Sequence, residues 1–156
     1  MVEAGRQAVL RKAHPWQIVY SDFFAEVERL RGLFAGLVGA NPDDIAVVPS
    51  TAYGIATAAA NLPLTSGDNV VVPLAEHAST FHRWRVAATE SGAELREAKL
   101  DNHRNWADAI IAGIDRNTRI VSVPHVHWSD GRLFDLQRIG KAARDVGAAF
   151  VVDGTQ

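Results

Sequence analysis

Apolar positions along this chain follow two rhythms. Near the N-terminus they recur at helical spacing, and residues 2–13 are expected as a helix that ends at His14 and Pro15, because a proline pushes the residue before it out of the helical region. In SDFFAEVERLRGLFAGLVG, Phe23, Val27, Leu30, Phe34, Leu37 and Val38 fall on one stripe of a second helix, stopped by Gly39 and then Pro42. Further along, short unbroken apolar runs alternate with helical patterns. DIAVVPST reads as a strand feeding a small-residue helix, AYGIATAAANL. LTSGDNVVVP reads as a turn and a strand, and HASTFHRWRVAATESG as a helix ending at Gly92. AELREAKL is expected as a strand, NWADAIIAGI as a helix, TRIVSVPHVHW as a strand and DLQRIGKAARDVG as a helix. The run at 148–152, bounded by Gly147 and Gly154, carries no alternation and is expected as a central strand of a parallel sheet. This rhythm predicts an α/β fold of three layers, a mostly parallel sheet flanked by helices. No repeat or low-complexity linker divides residues 1–156, which read as a single unit.

Composition narrows the partners. With 18 acidic against 16 basic side chains, a formal charge of -2 and no basic stripe, neither nucleic acid nor an anionic membrane surface is expected as a partner. A hydrophobic fraction of 47% with 22% charged residues suits a chain that buries a core. The absence of cysteine excludes a disulfide scaffold, a thiolate metal site and a cysteine nucleophile within these residues. MVEAGRQAVLRKAHPW is charged and helical in pattern, unlike a signal peptide, and no run approaches membrane-spanning length. A soluble, cytoplasmic protein with no membrane partner is expected.

Four features fall at expected strand ends, where open α/β sheets place their ligands. In VPSTAYGI a hydroxyl-rich strand-to-helix junction offers free backbone N–H groups, so Thr51, Ala52 and Tyr53 could hold a phosphate; an ordinary helix cap by Ser50 or Thr51 is the plainer use of the same residues. Neither G-x-G-x-x-G nor G-x-x-x-x-G-K-[ST] is present. In PLAEHAST, Glu76 and His77 follow a strand, and the imidazole could stack on a flat ring or move protons. In VSVPHVHW, His125 and His127 share a face if the strand runs through them, as a metal would require; otherwise one is a core residue and the other faces solvent. In VVDGTQ, the Asp153 carboxylate could pair with a protonated ring nitrogen and Gln156 could donate to a ring oxygen, unless Asp153 merely caps the next helix. Together these ask for a flat, protonatable ring with a phosphate arm and a ring oxygen. Pyridoxal 5'-phosphate has those parts.

VVPSTAYGIATAAANLPLTSGDNVVVPLAEHAST and IVSVPHVHWSDGRLFDLQRIGKAARDVGAAFVVDGTQ also resemble the class V aminotransferases, fold type I pyridoxal-phosphate enzymes that include cysteine desulfurases, selenocysteine lyases, kynureninases and isopenicillin N epimerase-like proteins. The resemblance runs from about residue 23 to the end, with its elements in the family's order. It implies an incomplete large domain of the pyridoxal-phosphate transferase type, with the small C-terminal domain absent. It further implies that Thr51 and Ala52 bind the cofactor phosphate, that His77 stacks on the ring, that Asp153 pairs with the ring nitrogen, and that Gln156 bonds the phenolic oxygen. An amino-acid substrate and a homodimer, or at least self-association, are implied as partners. Tyr53 departs from the glutamate many relatives carry, and Trp128 stands where desulfurases place an asparagine, which leaves transamination, lyase and racemase-type chemistry open.

The family's Schiff-base lysine lies beyond the Asp-x-x-Gln motif, so no catalytic residue is assigned in this chain. Its lysines are Lys12, Lys99 and Lys141, none at a motif. The sequence is therefore expected to be a fragment, inactive by itself. Two alternatives use the same residues differently: a metal-dependent hydrolase with His125, His127 and Asp153 as ligands, and a noncatalytic α/β binding module.

Overall fold

Proline, glycine and helical spacing act early in the chain as the sequence leads one to expect. In a computed structural model, which describes residues 1–101 and 105–156, α1 (Val2–Lys12) stops short of His14 and Pro15, and α2 (Asp22–Val38) is closed by Gly39 in the left-handed region at φ 69°. These helices belong to a compact unit of residues 1–47, distinct from a second unit of residues 48–156. Within the first unit Arg31 ties α2 to the segment that follows, donating from Nε to the Ile45 carbonyl at 2.8 Å while its Nη1 meets the Glu28 carboxylate. Phe23, Val27, Leu30, Phe34, Leu37 and Val38 do lie on α2, yet all six are exposed and Ala35 is the helix's buried residue. Apolar spacing fixes the helix, whereas covering the stripe requires a neighbouring surface that spacing does not supply.

One expected strand does not form. The apolar run at 45–48 joins no ladder, and Val47 and Val48 stay exposed. An apolar run favours extended backbone, but a strand exists only where another strand takes its N–H and C=O groups.

The second unit is built on four parallel strands, β1 (Asn69–Pro73), β2 (Glu94–Ala98), β3 (Thr118–Pro124) and β4 (Ala149–Asp153), in the order β2-β1-β3-β4. Connections run through α4 (Ala78–Ser91), α5 (Trp106–Gly113) and α6 (Leu136–Asp145), with α3 (Thr51–Asn61) preceding β1. Alternate residues of one strand feed two cores. Val71 joins Val121, Val123, Ile110 of α5 and Ile139 of α6, whereas Val70 and Val72 join Ile120, Ile55 of α3 and Trp84 of α4. The sheet is thus covered on both faces, which is why NVVVP carries no alternation. β4 departs from the expected central position. It pairs with β3 alone, stands at the sheet edge and is only partly buried, because no further strand among the described residues lies beyond it. Gly140 of α6 lets that helix approach β4: a Cβ there would come within 3.1 Å of the Phe150 ring.

Polar groups fasten the amino ends of the strands. Asp68 accepts from the Thr65 N–H and hydroxyl, each at 2.8 Å, and from Arg119 Nε at 2.9 Å. These bonds, Thr65's hydroxyl foremost, hold its carboxyl below the usual carboxylate range. Arg96 and Asn69 do the same for Asp115. At the opposite ends, the chain steps from β1 outward to β2 and then crosses back to β3 and β4. Such a reversal opens a crevice between the carboxyl ends of β1 and β3. No helix among the described residues is long and apolar enough to cross a membrane.

Candidate functional site

The carboxyl ends of β1, β3 and β4 each deliver a short segment to that side of the sheet. After β1 the chain turns through Ala75, whose φ of 58° lies in the left-handed region and whose carbonyl accepts from Trp128 Nε1 at 2.8 Å. The turn presents Glu76 and then His77, the N-cap residue of α4. His77 is held on two sides: Nδ1 lies 2.9 Å from Ser79 Oγ, and the Trp128 ring meets it edge-on at 5.7 Å between centroids. After β4, the Asp153 carboxylate accepts from the Thr155 N–H at 2.9 Å, and its backbone carbonyl accepts from the His125 N–H, also at 2.9 Å. Thr155 in turn reaches the first residue of α3, with Thr51 Oγ1 and Thr155 Oγ1 3.0 Å apart.

Thr51, His77, Asp153 and Gln156, drawn from segments distant in sequence, line one cleft of about 410 Å³ counting its open mouth. Ala52 does not line it. As the second residue of α3 it contributes a backbone N–H that, like that of Thr51, has no partner within the helix. Ser50 is the cap of α3, its Oγ accepting from the Tyr53 N–H at 3.2 Å, so the junction serves as a helix cap and still leaves two N–H groups free of the helix.

His125 and His127 are not brought together. β3 ends at Pro124, so the two do not share a strand face. His125 is exposed, whereas His127 is 3% exposed, stacked on Trp106 and near-parallel to Phe134, with Nδ1 3.0 Å from Ser129 Oγ and Nε2 3.4 Å from the Leu74 carbonyl. Among the described residues no group of three His, Cys, Asp or Glu side chains is placed to hold a metal ion, which removes the support for a hydrolase using His125, His127 and Asp153.

Three cleft residues escape a reading of the sequence as ligands. Ser79 and Thr155 each stand two residues beyond a named position, and their signal is a hydroxyl within reach of its own turn. The third, Glu76, is 6% exposed; Oε1 accepts from the His77 N–H at 2.6 Å and Oε2 has no partner among the described residues. Burial pushes its carboxyl up from the ordinary value; the His77 N–H and His127 oppose the rise, and the Asp153 charge adds to it.

Residues 6–156 match the family described as Aminotransferase class-V. The chain is 34% identical over 132 residues to a probable cysteine desulfurase of Methanothermobacter thermautotrophicus, covering 84% of this chain and 33% of that protein. The apo structure of a cysteine desulfurase from Thermococcus onnurineus NA1 is similar at a TM-score of 0.75 and 29% identity, over 85% of this chain and 34% of that one. A C-DES mutant with glycine covalently linked to the PLP cofactor gives a TM-score of 0.81 at 20% identity, over 98% of this chain and 42% of that one, a likeness of fold. The chain spans about a third of the length of the curated relatives it matches.

Proposed function

Because this chain belongs to the class V aminotransferase family, we propose that it forms the cofactor-binding part of a pyridoxal 5'-phosphate enzyme acting on an amino acid. One observation carries the reading: Thr51, His77, Asp153 and Gln156 meet at a single cleft at the crossover of the sheet. The donor set fits the cofactor's parts. Two N–H groups at the start of α3, with the Thr51 and Thr155 hydroxyls beside them, suit a phosphate dianion. A carboxylate, a flat imidazole and a primary amide suit a protonated ring nitrogen, a ring face and a ring oxygen.

Each residue then has a task set by its surroundings. Thr51 and the α3 N-terminus anchor the phosphate, with Ala52 contributing its backbone N–H. His77, fixed by Ser79 and Trp128, lies against the ring and restricts its tilt. Asp153, anchored through the Thr155 N–H, holds a proton at the ring nitrogen, and Gln156 donates to the ring oxygen. When bound, the cofactor supplies the electron sink for chemistry at the substrate's α-carbon. The two relatives described as cysteine desulfurases make cysteine the first substrate to consider, with transamination and other lyase outcomes in the same class. None of Lys12, Lys99 and Lys141 lines the cleft, and Lys141 Nζ is paired with Asp145 at 2.6 Å. Residues 1–156 are then part of a large domain, competent to bind but without turnover alone. The enzyme acts in the cytoplasm and self-associates, in keeping with the exposed apolar stripe of α2; light scattering that finds only monomer counts against the latter.

Equilibrium dialysis with pyridoxine 5'-phosphate tests the core of the reading. This probe keeps the ring, phenolic oxygen and phosphate but has no aldehyde to react with surface lysines. Saturable binding is expected, weakened about tenfold by Asp153→Asn, since a hydrogen bond to a charged group contributes about 1.5 kcal/mol or more. Affinity no better than for inorganic phosphate would refute it.

A further inference from the structure

Glu76 stands out from the other cleft residues. It lines the same cleft, is 6% exposed, and commits only Oε1, which accepts from the His77 N–H at 2.6 Å. Oε2 is buried without a partner among the described residues. Leaving such an atom unmatched is costly, and a buried unpaired group in a native site calls for a ligand or a water. We propose that Glu76 is a further ligand-binding residue of this cleft: its carboxyl is neutral there, with Oε1 fixing the His77 backbone and Oε2 donating a hydrogen bond to the bound molecule. This rests on the reading of the cleft as a pyridoxal-phosphate site.

The charges around Glu76 favour that division of labour. Asp153 at the end of β4 faces it as a second carboxylate, and His127 after β3 and His77 at the start of α4 are the other titratable neighbours. Two carboxyls in one partly desolvated place resist ionising together, and burial falls hardest on Glu76. Asp153 is partly exposed and takes the Thr155 N–H, whereas Glu76 is buried. Glu76 then stands as a donor beside the position of Asp153. Burial, the largest influence on the Glu76 carboxyl, disfavours its charged form.

The experiment is dialysis of the 156-residue chain, Glu76→Gln and Glu76→Ala against pyridoxine 5'-phosphate across pH 5 to 9, with far-UV circular dichroism to check folding. A glutamine keeps the Oε1 acceptor and places an N–H donor where Oε2 stood. Its affinity is expected to equal that of the unmodified chain at low pH and to exceed it increasingly as pH rises; taking the ratio of the two cancels the probe's own titration. Glu76→Ala should lose about tenfold at low pH. A ratio that stays constant with pH, a glutamine variant as weak as alanine, or an alanine variant that binds normally would each overturn the inference while leaving the cofactor reading intact. An unmodified chain that does not bind the probe ends both.

Discussion

Adding one methyl group at Gly140 tests how closely α6 is seated on β4. An alanine Cβ would lie 3.1 Å from Cδ1 and Cε1 of Phe150 and 3.2 Å from Arg144 Nη1, whereas ordinary contacts begin near 3.4 Å. The Arg144 end is flexible and can give way. The Phe150 ring packs against the core that contains Ile139 and Ala143, so the strain falls on the helix–strand interface. Overpacking of this kind costs about 1–3 kcal/mol. Alanine in place of glycine within a helix returns about 1 kcal/mol. The net expectation for Gly140→Ala is a loss of about 1 kcal/mol, or about 0.5 M in urea midpoint at a slope of about 2 kcal/mol per M. Gly36 in α2 is the matched control: nothing lies within 4 Å of its added Cβ, so alanine there should stabilise. Urea titrations followed by far-UV circular dichroism decide the matter. A Gly140→Ala midpoint at or above the unmodified value would refute the packing argument.

Two pH dependences of opposite sign follow from the buried carboxyls. Asp68 has its folded-state value depressed, so its contribution to stability is present above the unfolded value and is lost as pH falls below about 4; Asp68→Asn should flatten the fall in urea midpoint between pH 5 and 3, and parallel curves would contradict the assignment. Glu76 has its folded-state value raised, so its contribution is present at acid pH and is lost as pH rises through that value. Glu76→Gln should therefore gain stability relative to the unmodified chain between pH 5 and 8, and a constant difference over that range would count against a neutral buried carboxyl.

Much of this architecture is legible in the sequence because burial on both faces leaves a plain mark. NVVVP and TRIVSVP each carry an apolar run between turn signals, and they became the two inner strands. The same mark misleads at 45–48, where apolar residues find no partner strand, and at β4, whose run matches a central strand although here it stands at an edge. An apolar run reports what a segment can bury, while pairing depends on residues elsewhere in the chain. The site shows the same division. Thr51, His77 and Asp153 could be proposed from motif positions; for His125 and His127 spacing left two outcomes open, and the end of β3 at Pro124 decides for one histidine in the core, His127, and one outside, His125. Glu76 was visible only as the neighbour of His77, because neither its burial nor the charges of Asp153 and His127 that act on it can be read from its own segment.

The bond between Thr51 and Thr155 joins residues 104 positions apart, across nearly the full span of the second unit. Closing so long a loop has an entropy cost that only a largely assembled sheet can offset, and contacts of this range form late in folding. During synthesis the first half of the cleft, with Thr51 and His77, leaves the ribosome well before β4 emerges to supply Asp153. Capture of a ligand there would require β4 to have joined β3, and would stabilise that arrangement over any shorter nascent form.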